Sequence, residues 1–530
     1  MSRLRRTIHP NQAICFAVIL GILTIGLPLC MAADHPNIIL MLSDDQGWSG
    51  LSVAMHPEVR GSRNAGHQTP NLEKLAAQGM RFSMGYSPAP VCSPTRISIQ
   101  TGKSPAQLHW TKAAPAEPGH KLTEPKLIKS LDPTEVTIAE LLRTAGYATA
   151  HYGKWHLSGG GPGEHGYDEH DGDTGNEQAF RFVDPNPVDI FGMAERAADF
   201  MKRSRDAGKP FYIQLSWNAL HASGNARKAT LAKYQASMQG ANEKAVSVAA
   251  ITEDLDEGVG RVMQSVDQLG LADSTYVIYM GDNGASGNRG SALRGGKGGV
   301  WEGGIRVPFI VRGPGVSANS WCHTPVVGFD LLPTFCDWAG IPAARLPPNV
   351  EGGSFAALLA NDGRGEVRRS RDFLVFHFPH YQGSDGPQSA LLRGTTKLIR
   401  FLEDDHVELY DLASDIGESS DLAATQQNTA KELNRQLTEY LTAIDAQMPT
   451  LNPDYDPAAP PVARKGGRNA GGTGAVPGGA PGGGGQMKPG GKGQGKGQGK
   501  GRSTPPANQP GRQTPAGGGQ EKSKPDSTDN

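Results

Sequence analysis

Residues 37–47 read Asn-Ile-Ile-Leu-Met-Leu-Ser-Asp-Asp-Gln-Gly. Asn37–Leu42 is a short apolar run that stops abruptly at Ser43-Asp44-Asp45. That is the pattern of a parallel strand buried on both faces, with polar residues emerging at its carboxyl end. The pattern recurs along the chain. Thr275–Met280 runs into Gly281-Asp282-Asn283-Gly284, Tyr147–Tyr152 runs into Gly153-Lys154-Trp155-His156, and Phe211–Ser216 is a further apolar run. Between these, Asn71–Met80 and Thr137–Thr144 carry helical spacing, the first with Gly79 at its stop and the second closed by Ala145-Gly146. Such alternation predicts an α/β architecture with a mainly parallel sheet flanked by helices. In open sheets of this kind, sites form beyond the carboxyl ends of the strands. Asp44/Asp45, Lys154/His156 and Asp282/Asn283 each follow a predicted strand directly, so they are expected to converge at one edge.

The texture changes after Arg371. Phe373–Phe378, Ala390–Leu392, Thr396–Phe401 and His406–Tyr410 are short runs separated by polar turns, which predicts a smaller antiparallel sheet. Thr429–Ile444 reads as an amphipathic helix with Leu433, Leu437, Tyr440 and Leu441 on one stripe. The expected organisation is a leader over 1–32, an α/β domain over 33–370, a smaller α+β domain over 371–450 and a Pro/Gly/Lys-rich disordered tail over 451–530.

The chain has 530 residues, enough for a sizeable core. Its net charge of −1 conceals an uneven distribution. Residues 464–530 hold 22 Gly and a charge of +8, the first 33 residues carry +3, and the body between them carries −12. An acidic body argues against nucleic-acid binding through bulk charge. The tail, with its Gly-Lys-Gly-Gln repeat over 491–500, cannot bury a core. Its spaced lysines suit weak contact with an anionic polysaccharide or the cell envelope, or a purely solubilising role.

Arg3, Arg5 and Arg6 precede a mostly apolar run from Ala13 to Leu29 and then Cys30-Met31-Ala32-Ala33. This is the layout of a secretory signal peptide cut after Ala32, and it predicts export to the periplasm or the medium. The alternative is an uncleaved anchor, but the run falls short of the roughly 20 residues a span needs and Gly26 and Pro28 interrupt it. Leu29 before Cys30 fits a lipoprotein site badly. Of five cysteines, Cys15 and Cys30 leave with the leader, and Cys322 and Cys336 read equally as a disulfide or as reduced core residues. Cys92 is left over in Val91-Cys92-Ser93-Pro94-Thr95-Arg96, and an odd cysteine in an exported protein needs an explanation.

Asp44, Asp45, Asp282 and Asn283 are all oxygen donors, a set that suits a hard cation such as Ca²⁺ or Mg²⁺ rather than zinc. Each Asp turn by itself reads first as a solvated turn or a helix cap. Arg96, Lys154, His156, His221 and Lys297 form a second set, each alone a surface charge or a satisfied histidine. Lys154 and His156 alternate across Trp155 and face the same way if that stretch is extended. Lys297 lies in Arg294-Gly-Gly-Lys297-Gly-Gly, where glycines allow close backbone approach to an anion. A cation with several Lys, Arg and His residues is how a site stabilises a small tetrahedral dianion.

At this level of detail the sequence resembles the type I sulfatases. Cys92-Ser-Pro-Thr-Arg96 with Thr101-Gly-Lys103 is similar to that family's Cys-x-Pro-x-Arg signature, and Gly146-Tyr147 through Gly153-Lys-Trp-His156 is similar to its second signature. Thr69-Pro-Asn-Leu72, Gly281-Asp-Asn-Gly284, Trp301-Glu-Gly-Gly-Ile-Arg-Val-Pro308 and Glu408-Leu-Tyr-Asp-Leu412 match in the family's order, and the resemblance runs from about Pro36 to about Ala424. It implies an alkaline-phosphatase-like fold. It also implies that a separate maturation enzyme oxidises Cys92 to formylglycine, whose hydrate attacks sulfur with one oxygen and expels sulfate with the other. Asp44, Asp45, Asp282, Asn283 and modified Cys92 would hold Ca²⁺, with Mg²⁺ as the lesser candidate. Asp282 would also take the diol proton, and Arg96 would support the hydrate. Lys154 and Lys297 would hold sulfate oxygens, His156 would act as a base in sulfate release, and His221 with Lys297 would serve the leaving oxygen.

Three positions depart from the family pattern: Gln100 where an apolar residue is usual, Tyr152 where a smaller one is usual, and Ala222-Ser223 after His221 where a proline is common. The implied activity is arylsulfatase-like sulfate-ester hydrolysis, on aryl sulfates or sulfated sugars, with a sulfated carbohydrate preferred as the natural substrate. Hydrolysis of phosphate or phosphonate monoesters is the alternative within the superfamily, and a non-catalytic sulfated-glycan-binding protein is the alternative outside it. His377 and His380 either line the mouth of the site or pack internally.

Overall fold

β1 (Asn37–Ser43) is buried along its whole length. Ile38, Ile39, Leu40, Met41 and Leu42 have no exposed surface, and at about 1.5–3 kcal/mol for each large apolar side chain their burial fixes the depth of the strand. The computed structural model describes residues 35–458 apart from 222, 288–290 and 383–384. The expected leader, and the tail from residue 459, lie outside the described residues. Among those described, no helix is long and apolar enough to cross a membrane.

Seven more strands complete the sheet around β1: β2 (Met80–Phe82), β3 (Ala148–Gly153), β4 (Glu169–His170), β5 (Phe211–Trp217), β6 (Thr275–Gly281), β7 (Phe309–Arg312) and β8 (Ser320–Cys322). Their order is β8-β2-β7-β6-β1-β5-β3-β4. The pairs are parallel except those of β7, which runs against both β6 and β2. The flanking helices include α1 (Pro70–Ala77), α2 (Cys92–Thr101), α3 (Ile138–Thr144), α4 (Ile190–Asp206), α5 (Glu243–Gln268) and α6 (Leu331–Trp338). Ile39 and Met41 face α1, α4 and α5, whereas Ile38, Leu40 and Leu42 face α2, α3 and α6. The twofold alternation of a strand thus feeds two cores at once.

A second, antiparallel sheet runs β9 (Leu374–Phe378), β10 (Gln388–Arg393), β11 (Thr396–Phe401), β12 (Val407–Asp411) in sequence order. Helix α7 (Gln427–Ala443) covers one face, packing Leu433, Leu437, Tyr440 and Leu441 with Leu391, Leu398 and Leu409. The other face packs Phe376, Ala390 and Ile399 against Tyr86, Trp301 and Ile305 of the larger body. Both sheets belong to one compact unit.

Two expectations need correction or settling. The helix over 71–80 ends at Ala77 and Met80 opens β2, because Gly79 passes so close to Val311 that a Cβ there would lie 2.3 Å from the Val311 carbonyl oxygen. Cys322, at the end of β8, and Cys336, in α6, are free buried thiols, and burial pushes them up to about 11 and about 12.

Candidate active site

The strand tips are level. Ser43 is the register partner of both Trp217 and Gly281, and Gly153 is the partner of Ser216. The residues that follow extend the ladder by one bond each. Asp44 N–H donates to Trp217 O (3.0 Å), Asp282 N–H to Ser43 O (3.0 Å) and Lys154 N–H to Ser216 O (2.8 Å). Three charged residues far apart in sequence therefore leave neighbouring strands at one height. Asp45 adopts a left-handed φ of 60°, which Asp tolerates better than most residues, and its N–H donates to Asp282 Oδ1 (3.0 Å).

Cys92 opens α2, whose ten residues are all buried. Arg96 lies one turn on, on the same face. Its guanidinium donates to Asp282 Oδ2 (2.8 Å) and to the Lys154 carbonyl (2.6 Å). Lys297 arrives from the glycine loop, which Gly298 (φ 90°) fastens beside α2 by donating to Pro90 O (3.0 Å). Lys297 Nζ reaches Asp45 Oδ1 (2.5 Å) and Cys92 Sγ (3.5 Å), while Lys154 Nζ reaches Asp44 Oδ2 (2.5 Å). His221 Nδ1 stands 3.5 Å from Asp44 Oδ2 and 3.6 Å from Asp45 Oδ2. Asp44, Asp45, Cys92 and His221 present ligand atoms within 4.8 Å of one another.

The structure brings together Asp44, Asp45, Cys92, Arg96, Lys154, His221, Asp282, Asn283 and Lys297, with His156 at the edge. The condition under which Lys154 and His156 would face the same way, an extended stretch, is not met. Gly153 (φ 91°) and His156 (φ 59°) are both left-handed, so the chain turns and the alternation rule does not apply. Thr174 holds this turn, accepting from Trp155 N–H (3.0 Å) and from His156 N–H at its carbonyl (2.8 Å). No local pattern around Thr174 singled it out. His377 and His380 do not line the mouth: both are buried, His377 between Ser389 and the Gln447 carbonyl, His380 between Thr111 and Glu124. Gln100 has a polar partner in the core. Its Nε2 donates to Gln214 Oε1 (2.8 Å) and its Oε1 accepts from Tyr167 OH (3.0 Å).

Electrostatics divide these groups. Burial opposes ionisation of Asp44, but Lys154, His221 and Arg96 outweigh it and hold the carboxyl well below its usual range. Asp45, buried but beside Lys297, is held at about 2. Burial and then the charge of Asp44 push Asp282 upward against Arg96, so this carboxylate gains most from a nearby cation. Burial and Asp44 raise the Cys92 thiol, yet Lys154, Lys297 and His221 bring it below its usual value. Burial, then Lys154 and Arg96, depress His156 to about 3. Burial lowers His221, but hydrogen bonds to Asp45 and Cys92 lift it to about 9.

The donor set fits a hard cation. Asp44 Oδ1 and Asn283 Oδ1 are buried without a hydrogen-bond partner among the described residues, and Asp44 and Asp45 are held ionised. Buried, unsatisfied oxygens are costly, and a cation with six to eight oxygen ligands at its disposal satisfies them.

A mixed, mostly parallel sheet with oxygens and basic side chains at its strand tips, and one cysteine beside them at the head of α2, is the alkaline-phosphatase-like fold. The Sulfatase profile matches residues 36–341, and the profile described as N-sulphoglucosamine sulphohydrolase, C-terminal, matches residues 296–447. The chain belongs to the sulfatase family. It is 30% identical over 356 residues to N-acetylgalactosamine-6-sulfatase of Sus scrofa, covering 60% of this chain and 64% of that one, so it spans just under two thirds of that relative's length. It is 30% identical over 394 residues to arylsulfatase A of Bos taurus, covering 66% and 72%. The solved structure of Ps i-CgsB in complex with k-i-k-neocarrahexaose shares the fold at a TM-score of 0.64 and 22% identity, covering 79% of this chain and 94% of that one.

Proposed function

We propose that this protein hydrolyses sulfate esters of carbohydrates after export, using a formylglycine made from Cys92 by a maturation enzyme and a Ca²⁺ ion held by Asp44, Asp45, Asp282 and Asn283. The observation that carries this reading is the convergence of Cys92 Sγ, Lys297 Nζ and the oxygens of Asp44 and Asp45 on level strand tips. When in place, the aldehyde hydrate would supply the attacking oxygen and the cation would offset charge on the sulfate group.

The chain's own residues supply the rest. Lys154 and Lys297 are amines within the cluster that can turn from Asp44 and Asp45 to sulfate oxygens. Their positive charge is worth most where water is excluded, and Lys154 is fully buried. Arg96 holds Asp282 and the Lys154 carbonyl together, fixing the tip of β3 against that of β6. His156 is the base assigned to sulfate release, a role that burial and the charges of Lys154 and Arg96, which hold it at about 3, oppose until an anion offsets them. His221, in contact with both Asp44 and Asp45, is placed to donate a proton to the departing sugar oxygen. The relatives reported above include an N-acetylgalactosamine-6-sulfatase, which supports a sugar sulfate as the substrate class.

The test combines mass spectrometry of the Cys92 peptide with kinetics on 4-nitrophenyl sulfate and 4-nitrophenyl phosphate. A peptide lighter by the thiol-to-aldehyde change, sulfate turnover well above phosphate turnover, and loss of both in Cys92→Ala are expected. Unmodified Cys92 in an active enzyme, or a preference for phosphate, would defeat the reading.

A further inference from the structure

Lys297 sits in Arg294-Gly-Gly-Lys297-Gly-Gly-Val-Trp301, with two glycines on each side. Fixing one backbone residue costs about 1–2 kcal/mol, and glycine has the most freedom to lose. Such a loop cannot place an amine by its own stiffness, yet Lys297 Nζ stands against both Asp45 and Cys92. The hold must come from outside the loop.

It comes from two sides. On the side of the larger sheet, Lys297 N–H donates to Ala285 O (3.2 Å) and Gly298 N–H to Pro90 O (3.0 Å). On the other side stands the second sheet. At the base of the loop Arg294 stacks on Trp301, its guanidinium carbon 3.5 Å from the ring centroid, and Trp301 Nε1 donates to Asp385 Oδ2 (3.0 Å). Val300 N–H donates to Gln388 Oε1 (3.2 Å) at the start of β10. Nearer the amine, Gln382 covers Gly298. A Cβ on Gly298 would lie 2.8 Å from Gln382 Cγ and 3.1 Å from the Gln382 carbonyl oxygen. The side-chain contact is made by a methylene, and Gln382 Oε1 is buried without a hydrogen-bond partner among the described residues.

Gln382 is itself held by a buried cluster that the proposed chemistry leaves unused. Lys112 and Glu124, whose side chains have no exposed surface, pair at 3.0 and 3.1 Å. Lys112 Nζ also donates to Tyr381 O (2.9 Å), one residue before Gln382. His380 lies between Glu124 Oε2 (2.7 Å) and Thr111 Oγ1 (2.7 Å). Both Glu124 oxygens and both His380 ring nitrogens are engaged, so the cluster fixes one course of the chain leading into Gln382.

We infer that Gln382 is a positioning residue for Lys297. The second sheet, anchored through Lys112, Glu124 and His380, presses the Gln382 methylene on Gly298 and so sets where the Lys297 amine reaches. The inference rests on the sulfatase reading for what Lys297 does, but not for how its loop is held. Gln382 acts through Lys297 and touches none of the reacting atoms.

The test uses the full chain. Gln382→Ala removes the methylene contact and should lower kcat/KM for 4-nitrophenyl sulfate by about tenfold. Gln382→Met keeps an unbranched chain over Gly298 and should stay within about twofold of the unaltered protein. In a Lys297→Ala background, Gln382→Ala should cost a further factor of less than about two, because the amine through which it acts is gone. Backbone hydrogen exchange over 294–300, followed by mass spectrometry, should quicken by about tenfold in Gln382→Ala and stay unaltered in Gln382→Met. Undiminished kcat/KM in Gln382→Ala, an equal loss in Gln382→Met, a full loss added to that of Lys297→Ala, or unchanged exchange over 294–300 would each overturn the assignment. Where Lys297→Ala turns over too slowly to compare, the exchange result decides. Quickened exchange in Gln382→Ala of a protein that hydrolyses no sulfate ester would sink the sulfatase reading and support the hold on the loop.

Discussion

Two buried charge clusters sit a short way apart in this molecule and are built differently. At the strand tips, Asp44, Asp45 and Asp282 face Lys154, Lys297 and Arg96. Where the larger body meets the second sheet, Glu302 and Glu418 face Lys397 and Arg306. Formal charge balances in both. In the second cluster both Glu302 oxygens are engaged, Oε1 by Lys397 and Oε2 by Arg306 and Tyr86, Glu302 N–H donates to Glu418 Oε2, and Glu418 Oε1, which makes no hydrogen bond among the described residues, has Lys397 Nζ beside it at 2.7 Å. In the first, Asp44 Oδ1 and Asn283 Oδ1 are left open. Burial and charge alone do not separate a structural cluster from a functional one; what separates them is whether the protein satisfies its own polar atoms. A closed cluster fixes one arrangement of the chain, and an open one reserves its atoms for something else.

The comparison breaks most visibly under substitution. Asp44→Asn should lower kcat/KM for 4-nitrophenyl sulfate by about a thousandfold, which is about 4 kcal/mol of transition-state stabilisation. Its midpoint of denaturation should fall as well, because the buried Lys154 loses its carboxylate partner. Wild-type turnover by Asp44→Asn would place the open cluster outside the chemistry. Glu302→Gln should differ in leaving the chemistry alone, costing about 3 kcal/mol in urea unfolding by leaving Lys397 and Arg306 poorly compensated. The folded fraction should keep its kcat, and a normal unfolding midpoint would show that the closed cluster does not hold the two sheets together.

Acidity sharpens the contrast. Burial lifts Glu418 to about 7 despite Lys397. A carboxyl whose folded value exceeds its ordinary 4.5 binds more protons folded than unfolded between those two values. Its contribution is full below about pH 4.5 and is lost as pH rises through about 7. Glu418→Gln should therefore flatten the decline in unfolding free energy between pH 5 and 8, read by urea titration at each pH, whereas an unchanged slope would assign the decline elsewhere. The smallest effect belongs to the polar pair under α2. Gln100→Leu should cost about 1 kcal/mol by removing one of three donors to Gln214 Oε1, which keeps Tyr167 and Tyr212, and it should cost less in a Gln214→Leu background. Additive losses would mean that the two amides do not act as a pair.

Much of this was legible beforehand. Apolar runs ending in Asp44-Asp45, Lys154 and Asp282-Asn283 gave β1, β3 and β6 and the edge where they meet, because a strand buried on both faces leaves little ambiguity. The short strands were harder. Met80–Phe82, Glu169–His170 and Ser320–Cys322 are too brief to show a period, and β7 runs antiparallel for reasons no local pattern carries. The turn at His156 had no local signal, because left-handed φ values at Gly153 and His156 depend on Thr174, a neighbour in space.

By itself, the sequence determined which residue types stand at the ends of which strands, since hydrophobic period and polar interruption are local properties of the chain. Only the tertiary structure decided that Ser43, Trp217 and Gly281 share one level, that Asp44 and Asn283 keep an oxygen open while Glu302 does not, and that Gln100 finds Gln214. Those outcomes depend on register and packing between segments up to 239 residues apart in number, Asp44 to Asn283. No window of sequence contains both partners.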